Sequence, residues 1–398
     1  MLLIRKGLTV VIIILFVTTG MILSTAQNIE KSRASSKSNW LYVGGDGPGN
    51  YTRIQDAVNN SNDGDTVFVY AASSPYYENV VVHKSITLIG ENRNTTIIDG
   101  KRIDDPLWIK ASFVIVDGFT ILNGSIEELQ TGILVIEKKS WQPDNPPLLT
   151  NINISNCIIE NNRGGIRLYS TYATNVSSCL IQNNPTVGIY IVASSHVNIN
   201  DSEIIHNGGN FYIGGIFIQR DDTIRISDNV TISNCSISDN FWSGIYVMEN
   251  SSNIEIYHNA IFENTNYGIF ISESKAKIYD NQIYNNGIGE LFDGGILLQA
   301  CINNVAVYDN NIETNNQYGL YLIRSTANSI TKNNFIHNKY NSYFLHFSLF
   351  NHWNGNYWTD WVGIGPKLIL GKLGEVLIPW VNFDWSPVRE PYNITRMT

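Results

Sequence analysis

Two glutamates occupy equivalent positions in a repeated pattern and have the chemistry for acid catalysis. Glu249 and Glu273 each stand five residues after the glycine of a Gly-Ile dipeptide. If the repeats stack in register, the backbones at these two positions lie about 5 Å apart. Carboxylates that close disfavour joint ionisation, so one could serve as an acid, as in a retaining glycosidase. The alternative is a surface charge ladder in which Arg220 and Lys275 neutralise the glutamates.

Aromatic residues precede the glutamates at the position that points outward from the same predicted strands. Rings on the outer face of a sheet can favour strand stacking. They can equally form a platform for sugar rings or a partner, because exposed apolar patches mark interaction sites. Both interpretations stay open. In successive repeats the outward position holds Arg167, Tyr190, Phe217, Tyr246, Phe270, Leu297 and Tyr321.

Two long turns bracket this region and predict the walls of a groove. The interval from Asn207 to Gly215 is eight residues. The interval from Asn286 to Gly295 is nine, against four in the repeats between them. Three strand spacings, about 14 Å, separate the walls, which admits a short saccharide. The predicted floor comprises Trp242, Tyr246, Glu249, Tyr267, Phe270 and Glu273, and the predicted walls carry Phe211, Tyr212, Glu290 and Asp293.

The repeat that positions these residues is a Gly-Ile dipeptide, and its period predicts a solenoid. The first and third residues after each later glycine are aliphatic, which is the alternation of a strand with one buried face. Two further short strands per repeat, such as those at 254–256 and around Ile261, predict a coil of a parallel β-helix. The dipeptides begin at Gly132, Gly165, Gly188, Gly215, Gly244, Gly268, Gly295 and Gly319, the last being Gly-Leu.

An asparagine recurs between the glycines. Stacked at a turn, each amide can donate to one neighbouring coil and accept from the other. We expect the glycine to supply a positive φ where the chain enters the strand. The marker asparagines are Asn161, Asn183, Asn207, Asn240, Asn264, Asn286, Asn315 and Asn338. A second polar column, five residues earlier, holds Asn156, Ser178, Ser202, Cys235, Asn259, Asn281, Asn310 and Asn333.

The four cysteines do not have the spacing of a zinc site or the surroundings of a thiol nucleophile. Cys157 and Cys179 hold the same place in neighbouring repeats, about 4.8 Å apart at the backbone. That separation permits a disulfide, and two unpaired small side chains in a turn are the alternative. We expect no cofactor. Structural calcium between coils is chemically reasonable, but no ligand string identifies it.

We expect one domain with capped ends, preceded by an export segment. Arg5 and Lys6 precede an apolar run, which is typical of a signal peptide or an N-terminal membrane anchor. A helix from Tyr51 to Asn60 would cover the first coil, because an open end exposes unpaired strand edges. The expected segments are 1–26 (signal peptide or anchor), 27–41 (linker), 42–345 (β-helix, with repeats clearest at 151–345) and 346–398 (Trp-rich C-terminal cap).

The opening coils, DGDTVFVY…SITLIGE…TTIIDG, resemble the pectin-lyase-like superfamily of right-handed parallel β-helices. The N-x-I-x-x-N…G-I repeats and the GNYW…PY pattern are similar to secreted archaeal and bacterial β-helix proteins, including the NosD-like group. The resemblance implies an all-β, single-domain right-handed parallel β-helix with three short strands per coil, an N-terminal helical cap and a Trp-rich C-terminal cap. The superfamily includes pectate lyases and polygalacturonases, but their N-T-D, G-H-G, R-I-K and D-F-I-F-G motifs do not occur.

The sequence predicts an exported cell-surface protein that binds carbohydrate or another surface polymer without catalysis. A net charge of −9 argues against a nucleic-acid surface. The expected partner is a polysaccharide or cell-surface glycan, with membrane contact only through an uncleaved N-terminal segment. The alternatives are a polysaccharide lyase or hydrolase, a surface-layer scaffold and a NosD-like metal-insertion accessory. We expect no metal site, because copper would require grouped ligands and His337, His346 and His352 are only loosely grouped.

Overall fold

Alternating aliphatic residues build short parallel strands that stack into a solenoid. The computed structural model describes residues 38–127, 130–138, 147–209, 213–288, 293–376 and 378–394. The unit from Leu41 to Thr398 is built on three sheets, and a coil contributes one short strand to each. This confirms the expected all-β architecture with three strands per coil.

The sheets are numbered here in the order in which a coil visits them. Sheet 1 carries the Gly-Ile strands, and its last two strands form an antiparallel pair. Among the described residues its thirteen strands are Val80–Val82, Leu107–Ile109, Thr131–Val135, Gly164–Tyr169, Val187–Val192, Ile216–Gln219, Ile245–Val247, Tyr267–Ser272, Gly294–Gln299, Tyr318–Ile323, Tyr340–Leu345, Lys367–Leu373 and Ile378–Asp384.

Sheets 2 and 3 complete each coil. The described strands of sheet 2 are Trp40–Val43, Thr66–Val69, Thr87–Gly90, Val114–Asp117, Leu149–Ser155, Thr171–Ser177, Ser195–Asn200, Asp228–Ser233, Ser252–Tyr257, Ala276–Tyr279, Val305–Tyr308, Ser329–Thr331 and His352–Asn354. Those of sheet 3 are Ile97–Asp99, Thr120–Leu122, Ile158–Glu160, Leu180–Gln182, Glu203–Ile205, Ser236–Ser238, Ala260–Phe262, Gln282–Tyr284, Asn311–Glu313, Asn334–Ile336 and Tyr357–Trp358.

The same register repeats from coil to coil and fills the interior with aliphatic rows. Ile245 pairs with Ile269, and Ile269 pairs with Ile296. All three side chains are fully buried. Burying such a side chain contributes about 1.5–3 kcal/mol relative to leaving it exposed. The period of the sequence therefore becomes a continuous core along the solenoid.

The repeated glycines and the repeated asparagines contact each other between neighbouring coils. A Cβ atom on Gly244 would lie 2.8 Å from the carbonyl oxygen of Gly268 and 2.9 Å from Nδ2 of Asn264 on the next coil, so only glycine leaves room for that backbone and for the amide. None of the eight repeat glycines, from Gly132 to Gly319, has a positive φ, so our expectation for them is wrong. The positive φ, between 51° and 55°, belongs to the residue before each buried asparagine, namely Asn161, Asn183, His206, Asp239, Glu263, Asn285, Thr314 and His337.

The buried asparagines form a continuous hydrogen-bonded ladder. Asn264 donates through Nδ2 to Oδ1 of Asn286 at 2.9 Å and to the carbonyl of Ile237 at 3.1 Å. Its Oδ1 accepts from Nδ2 of Asn240 at 3.1 Å. The last amide, Asn341, donates to the carboxylate of Asp360 at 2.8 Å. The ladder runs through Asn162, Asn184, Asn207, Asn240, Asn264, Asn286, Asn315, Asn338 and Asn341.

At two of the predicted positions, the ladder uses the asparagine that follows the predicted one in the sequence. Asn162 and Asn184 enter the ladder, whereas Asn161 and Asn183 are exposed. The prediction failed there because each site is an Asn-Asn pair, and the first member takes the left-handed turn conformation. The same shift moves the predicted Asn156 and Ser178 out of the second column.

The second column begins with sulfur and hydroxyl groups and continues as amides. It ends at Asp384, which is fully buried and accepts hydrogen bonds from Nδ2 of Asn356 at 2.9 Å and Nε1 of Trp358 at 3.1 Å. A carboxylate therefore terminates each ladder. The strand register makes this column Cys157, Cys179, Ser202, Cys235, Asn259, Asn281, Asn310, Asn333 and Asn356.

All four cysteines are buried free thiols in the structure. Burial raises the pKa of Cys235 to about 12 and that of Cys301 to about 11. A hydrogen bond with Cys179, together with burial, raises the pKa of Cys157 well above its ordinary value. Cys157 and Cys179 are therefore unpaired in the structure, which is the second of the two predicted alternatives.

A short helix covers the beginning of the solenoid. The helix Ile54–Asn60 buries Ile54, Ala57 and Val58 and lies within the predicted helix from Tyr51 to Asn60. The carboxylate of Glu78 accepts hydrogen bonds from the backbone N–H groups of Ile54 and Gln55 at 2.8 and 3.0 Å. A 3-10 turn, Ala71–Ser73, follows.

The predicted export segment, 1–26, and residues 27–37 of the predicted linker lie outside the described residues. In the portion of the chain that the structure does describe, no helix is both long enough and apolar enough to cross a bilayer.

The solenoid extends into the segment expected to be the C-terminal cap. Trp353 and Trp358 lie on strands of the last coil, in register with Ile330 and Phe335. Both tryptophans are buried, and Trp358 stacks on Phe335 with ring centroids 4.3 Å apart. An antiparallel pair, Lys367–Leu373 with Ile378–Asp384, completes sheet 1. Large aromatics therefore fill the final coil, as expected.

We expect Asn264→Ala to lower the free energy of unfolding by about 3 kcal/mol, because several buried partners lose their hydrogen bonds. Urea denaturation followed by circular dichroism measures this change. Asn198→Ala is the matched control, since Asn198 is an exposed strand residue. Equal shifts of the two midpoints would contradict a structural role for the ladder.

We expect the native chain to resist alkylation by iodoacetamide at pH 8, because all four thiols are buried away from the reagent and burial raises the pKa values of Cys235 and Cys301. Mass spectrometry should count no modified cysteine in the native chain and four in urea. Two modified cysteines in urea without reductant would instead reveal a disulfide between Cys157 and Cys179.

Candidate functional site

The predicted floor is assembled by two adjacent strands of sheet 1. Tyr246 pairs with Phe270 in the parallel register, as the period predicts. Trp242 precedes the first of these strands with a φ of 80° and is partly exposed. Tyr267 begins the second and is buried. The strands thus bring these four residues into one region.

The outward rings stack on one another. Each ring covers part of the face of the next, so the faces are largely unavailable to a sugar ring. Phe217, Phe270, Leu297 and Tyr321 are only 2–8% exposed, and the expectation that this stripe faces solvent is wrong for these four. The ring centroids are 5.1 Å apart for Tyr190–Phe217, 5.1 Å for Phe217–Tyr246 and 4.5 Å for Tyr246–Phe270.

A cation closes the N-terminal end of the ring stack. The guanidinium of Arg167 lies 5.3 Å from the ring centroid of Tyr190. Burial lowers the pKa of Arg167 and raises the pKa of Tyr190 to about 12. The amide of Gln219 donates to the hydroxyl of Tyr190. The stack is therefore a fixed structural base, and its accessible polar edge includes the partly exposed Tyr246.

Glu249 and Glu273 lie at the corner that follows the stack. Both have a positive φ, 60° and 50° respectively. Burial raises the pKa of Tyr246, and the negative charges of Glu249 and then Glu273 raise it further. The two carboxylates therefore act electrostatically on one phenol.

Arg220 gives Glu249 a counter-ion, with Nε 3.6 Å from Oε2. Both side chains are about one-third exposed, 36% and 35%. A partly exposed ion pair contributes little to stability, about 0–1 kcal/mol. This pair agrees with the charge-ladder alternative and weakens the interpretation of Glu249 and Glu273 as a catalytic couple.

The predicted walls are only partly described. Phe211, Tyr212 and Glu290 lie outside the described residues. Asp293 is buried immediately before the strand Gly294–Gln299. Of the four predicted wall residues, the structure thus describes Asp293, and this side chain is buried rather than exposed to a groove.

Asp221 is a structural residue that the sequence analysis did not single out. Its carboxylate accepts from the backbone N–H of Thr223 at 3.0 Å and of Arg225 at 2.9 Å. Burial opposes ionisation, but these hydrogen bonds and the Arg225 guanidinium lower the pKa of Asp221. The Asp-x-Thr spacing is an available signal for such a turn. Asp221 therefore organises the long corner between sheets 1 and 2.

Two cavities among the described residues lie away from the predicted groove. A cavity of 490 Å³ is lined by Tyr343, Lys372, Trp380 and their neighbours in the C-terminal strand pair. A cavity of 420 Å³ lies at the corner between sheets 3 and 1 and includes Arg102 and Arg163. The sequence analysis missed the second cavity because its residues come from five different coils. No group of three His, Cys, Asp or Glu side chains suited to a metal occurs in the described part of the chain.

A family model described as the right handed beta helix region matches residues 108–272 and 219–336. The chain is 27% identical over 333 residues to a cell surface glycoprotein of Methanothermus fervidus, covering 78% of this chain and 51% of the relative. Over 87 residues it is 37% identical to the probable pectinesterase/pectinesterase inhibitor 6 of Arabidopsis thaliana, covering 20% and 16%. The chain thus spans about half or less of the length of these relatives.

Solved structures share the architecture at low sequence identity. The mannuronan C-5 epimerase AlgE6 A-module of Azotobacter vinelandii gives a TM-score of 0.59 at 18% identity, covering 76% of this chain and 93% of that chain. The Dettilon tailspike protein gives a TM-score of 0.55 at 14% identity, covering 80% and 66%. Likeness at these identities shows the fold alone.

We expect Phe270→Ala to lower the free energy of unfolding by about 3 kcal/mol, because it removes a buried ring from the stack. Urea denaturation measures the loss. Phe347→Ala is the control, since Phe347 is 57% exposed. A Phe270 variant as stable as the wild type would contradict a structural role for the ring stack.

Proposed function

Because the chain belongs to the right-handed β-helix family, we propose that it is an exported cell-surface protein that binds a carbohydrate or another surface polymer. The β-helix serves as a rigid display surface in this function. Residues 1–26 direct export and either are removed or anchor the chain in the membrane. Binding takes place without catalysis.

Support for this function comes chiefly from the Methanothermus relative, whose name is cell surface glycoprotein and whose similarity extends along most of this chain. The epimerase is named for a polysaccharide substrate, mannuronan. The first name agrees with a location at the cell surface, and the second agrees with a carbohydrate partner. The period of the solenoid adds a physical reason, since identical corners recur along the axis at about 4.8 Å and can follow an extended polymer.

The proposed contact surface is the polar edge of the ring stack between the two long turns. The hydroxyl of Tyr246 and the carboxylates of Glu249 and Glu273 supply a donor and several acceptors for sugar hydroxyls. Tyr267 and Phe270 support this edge from the buried side, with ring centroids 5.9 Å apart, and Trp242 is proposed as a further contact residue. Phe211, Tyr212, Glu290 and Asp293 are proposed as wall residues.

A polysaccharide lyase or hydrolase remains the alternative activity, with Glu249 and Glu273 as its candidate groups. The ion pair between Arg220 and Glu249 favours the binding function over this one. A surface-layer scaffold without a specific ligand, and a NosD-like metal-insertion accessory, are further alternatives with no supporting contact among the described residues.

We expect Tyr246→Ala to weaken glycan retention about tenfold, because it removes both the hydroxyl and the ring that supports it. A glycan array probed with the full chain identifies the ligand, and titration with that glycan measures the change. Tyr246→Phe should lose part of the affinity, since only the hydroxyl is removed.

Tyr308→Ala provides the matched control, because Tyr308 is another partly exposed stacked tyrosine, 5.0 Å from Tyr279 on sheet 2. It should leave glycan binding unchanged. Retention of no glycan at all would favour the scaffold. New reducing ends or unsaturated products that disappear in Glu273→Gln would establish the enzymatic alternative.

A further inference from the structure

We infer that a second copy of this chain docks on the apolar outer side of the C-terminal strand pair, so that two copies form a two-fold symmetric dimer. The strands of this pair, Lys367–Leu373 and Ile378–Asp384, are the last two of sheet 1. The inference goes beyond the proposed function and does not depend on it. The surface, called here the C-terminal apolar face, carries Leu368, Leu370, Val381, Phe383 and Trp385.

The strand register separates a covered side of the pair from this exposed one. Ile369 is buried and belongs to the core, so its side of the pair packs on the last coil. Leu368 and Leu370 lie on the other side by alternation and are exposed. The register places Phe383 opposite Leu368 and Val381 opposite Leu370. The C-terminal apolar face is therefore built from cross-strand apolar pairs that contact solvent.

Six large apolar residues at this end of the chain are 48–86% exposed. At about 100 Å² each, against about 150–250 Å² for a whole aromatic side chain, they offer about 600 Å². An exposed apolar surface of that size marks an interaction site. Specific interfaces begin at about 600 Å² per partner, so the surface is large enough for a dimer. The six are Leu368, Leu370, Trp380, Trp385 and, in the loop before the first strand, Val362 and Ile364.

The C-terminal apolar face combines a protrusion with a cavity, which is why a second copy suits it. Trp385 stacks on Phe383 with ring centroids 4.9 Å apart, so its exposed indole projects from this face. The cavity of 490 Å³ extends along the strand from Phe383 to Pro379. Pro379 is six residues from Trp385, about 20 Å along an extended strand. Under a two-fold axis, Trp385 of each copy can therefore enter the cavity of the other copy.

The cavity has a lining that suits an indole. Tyr343 and Trp380 supply aromatic surface, and Lys372 supplies a cation. A cation binds the face of tryptophan more strongly than that of other aromatic rings. A volume of 490 Å³ lies within the range of about 300–1,000 Å³ that accepts small molecules, so one indole fits. A tryptophan seated in such a pocket is a typical anchor of a protein interface.

The net charge of −9 does not oppose this contact. Among the described residues, the cavity lining contains the cation Lys372 and no carboxylate. Asp360, beside the loop that leads into the pair, is neutralised by Lys367 at 2.8 Å. Glu375, in the turn of the pair, contacts Arg324 at 3.1 Å. Carboxylates farther than about 8–10 Å from the contact are largely screened by salt, so two copies can approach.

A dimer of this kind leaves the proposed glycan surface free. The outward row runs in register from Tyr246 through Phe270, Leu297 and Tyr321 to Tyr343 at the cavity. Four strand spacings, about 19 Å, therefore separate Tyr246 from the cavity. Each dimer presents two such surfaces, which raises its avidity for a repeating polymer. This gain in avidity, unlike the dimer itself, rests on the proposed function.

Sedimentation velocity of the full chain between about 1 and 100 μM tests the inference, and we expect a monomer–dimer equilibrium in that range. Leu370→Glu should raise the dissociation constant of the dimer at least tenfold, because it places a carboxylate in an apolar contact. Trp385→Ala should raise it at least tenfold as well, since it removes the anchor. Circular dichroism spectra equal to that of the wild type establish that both variants are folded.

Ile115→Glu is the matched control, because Ile115 is an exposed strand residue on the outer face of sheet 2. It adds the same charge and should leave the dissociation constant unchanged. A monomer at every concentration, a dimer that neither Leu370→Glu nor Trp385→Ala weakens, or an equal effect of Ile115→Glu would overturn the inference.

Phosphatidylglycerol vesicles test the other occupant of this surface. We expect the same vesicle binding for Leu370→Glu as for the wild type. A monomer that binds these vesicles and loses that binding in Leu370→Glu would assign the surface to lipid and overturn the dimer. Titration with a monovalent glycan separates this inference from the proposed function, because Leu370→Glu should keep the wild-type affinity per chain whether or not a dimer forms.

Discussion

The contact between a glycine and an asparagine one coil away is the constraint on which the solenoid depends. Gly244 leaves the space that Asn264 occupies, and Asn264 in turn satisfies backbone and side-chain groups that would otherwise be buried without partners. Neither residue can change alone, because a larger side chain would displace the amide and a smaller one would leave buried donors and acceptors unpaired. This mutual requirement explains why the two residue types recur with one period.

The sequence was sufficient to predict the three-strand coil, the row that joins Tyr246 to Phe270 and the helix that covers the first coil. The first two follow from the repeat period, because equivalent positions of successive repeats become neighbours. The exact ladder residue at Asn161 and Asn183 was not predictable, because two adjacent asparagines satisfy the same pattern and only the backbone φ distinguishes them. Chemical type gives the period, whereas local conformation decides which of two identical side chains turns inward.

The burial of the outward rings was not predicted from the sequence for a different reason. Alternation correctly assigns Phe270 to the outer face, but the stacking of Phe270 on Tyr246 depends on contacts between coils that no single repeat contains. The cavity beside Arg102 has the same origin, since its lining comes from five corners. A surface site in a solenoid therefore combines residues from several coils, and it can be predicted only when the register of those coils is known.

Both amide ladders point their donors in one direction and meet an aspartate, Asp360 or Asp384, that can only accept. Because of this ending, the two ends of the repeat array differ in how readily repeats can be gained or lost during evolution. Duplication or loss of whole repeats upstream of the two aspartates preserves every donor–acceptor pair, so related proteins can differ in length at little cost to the fold. A repeat added beyond them would meet acidic groups with no proton to donate, which makes this end a fixed boundary while the interior stays free to expand.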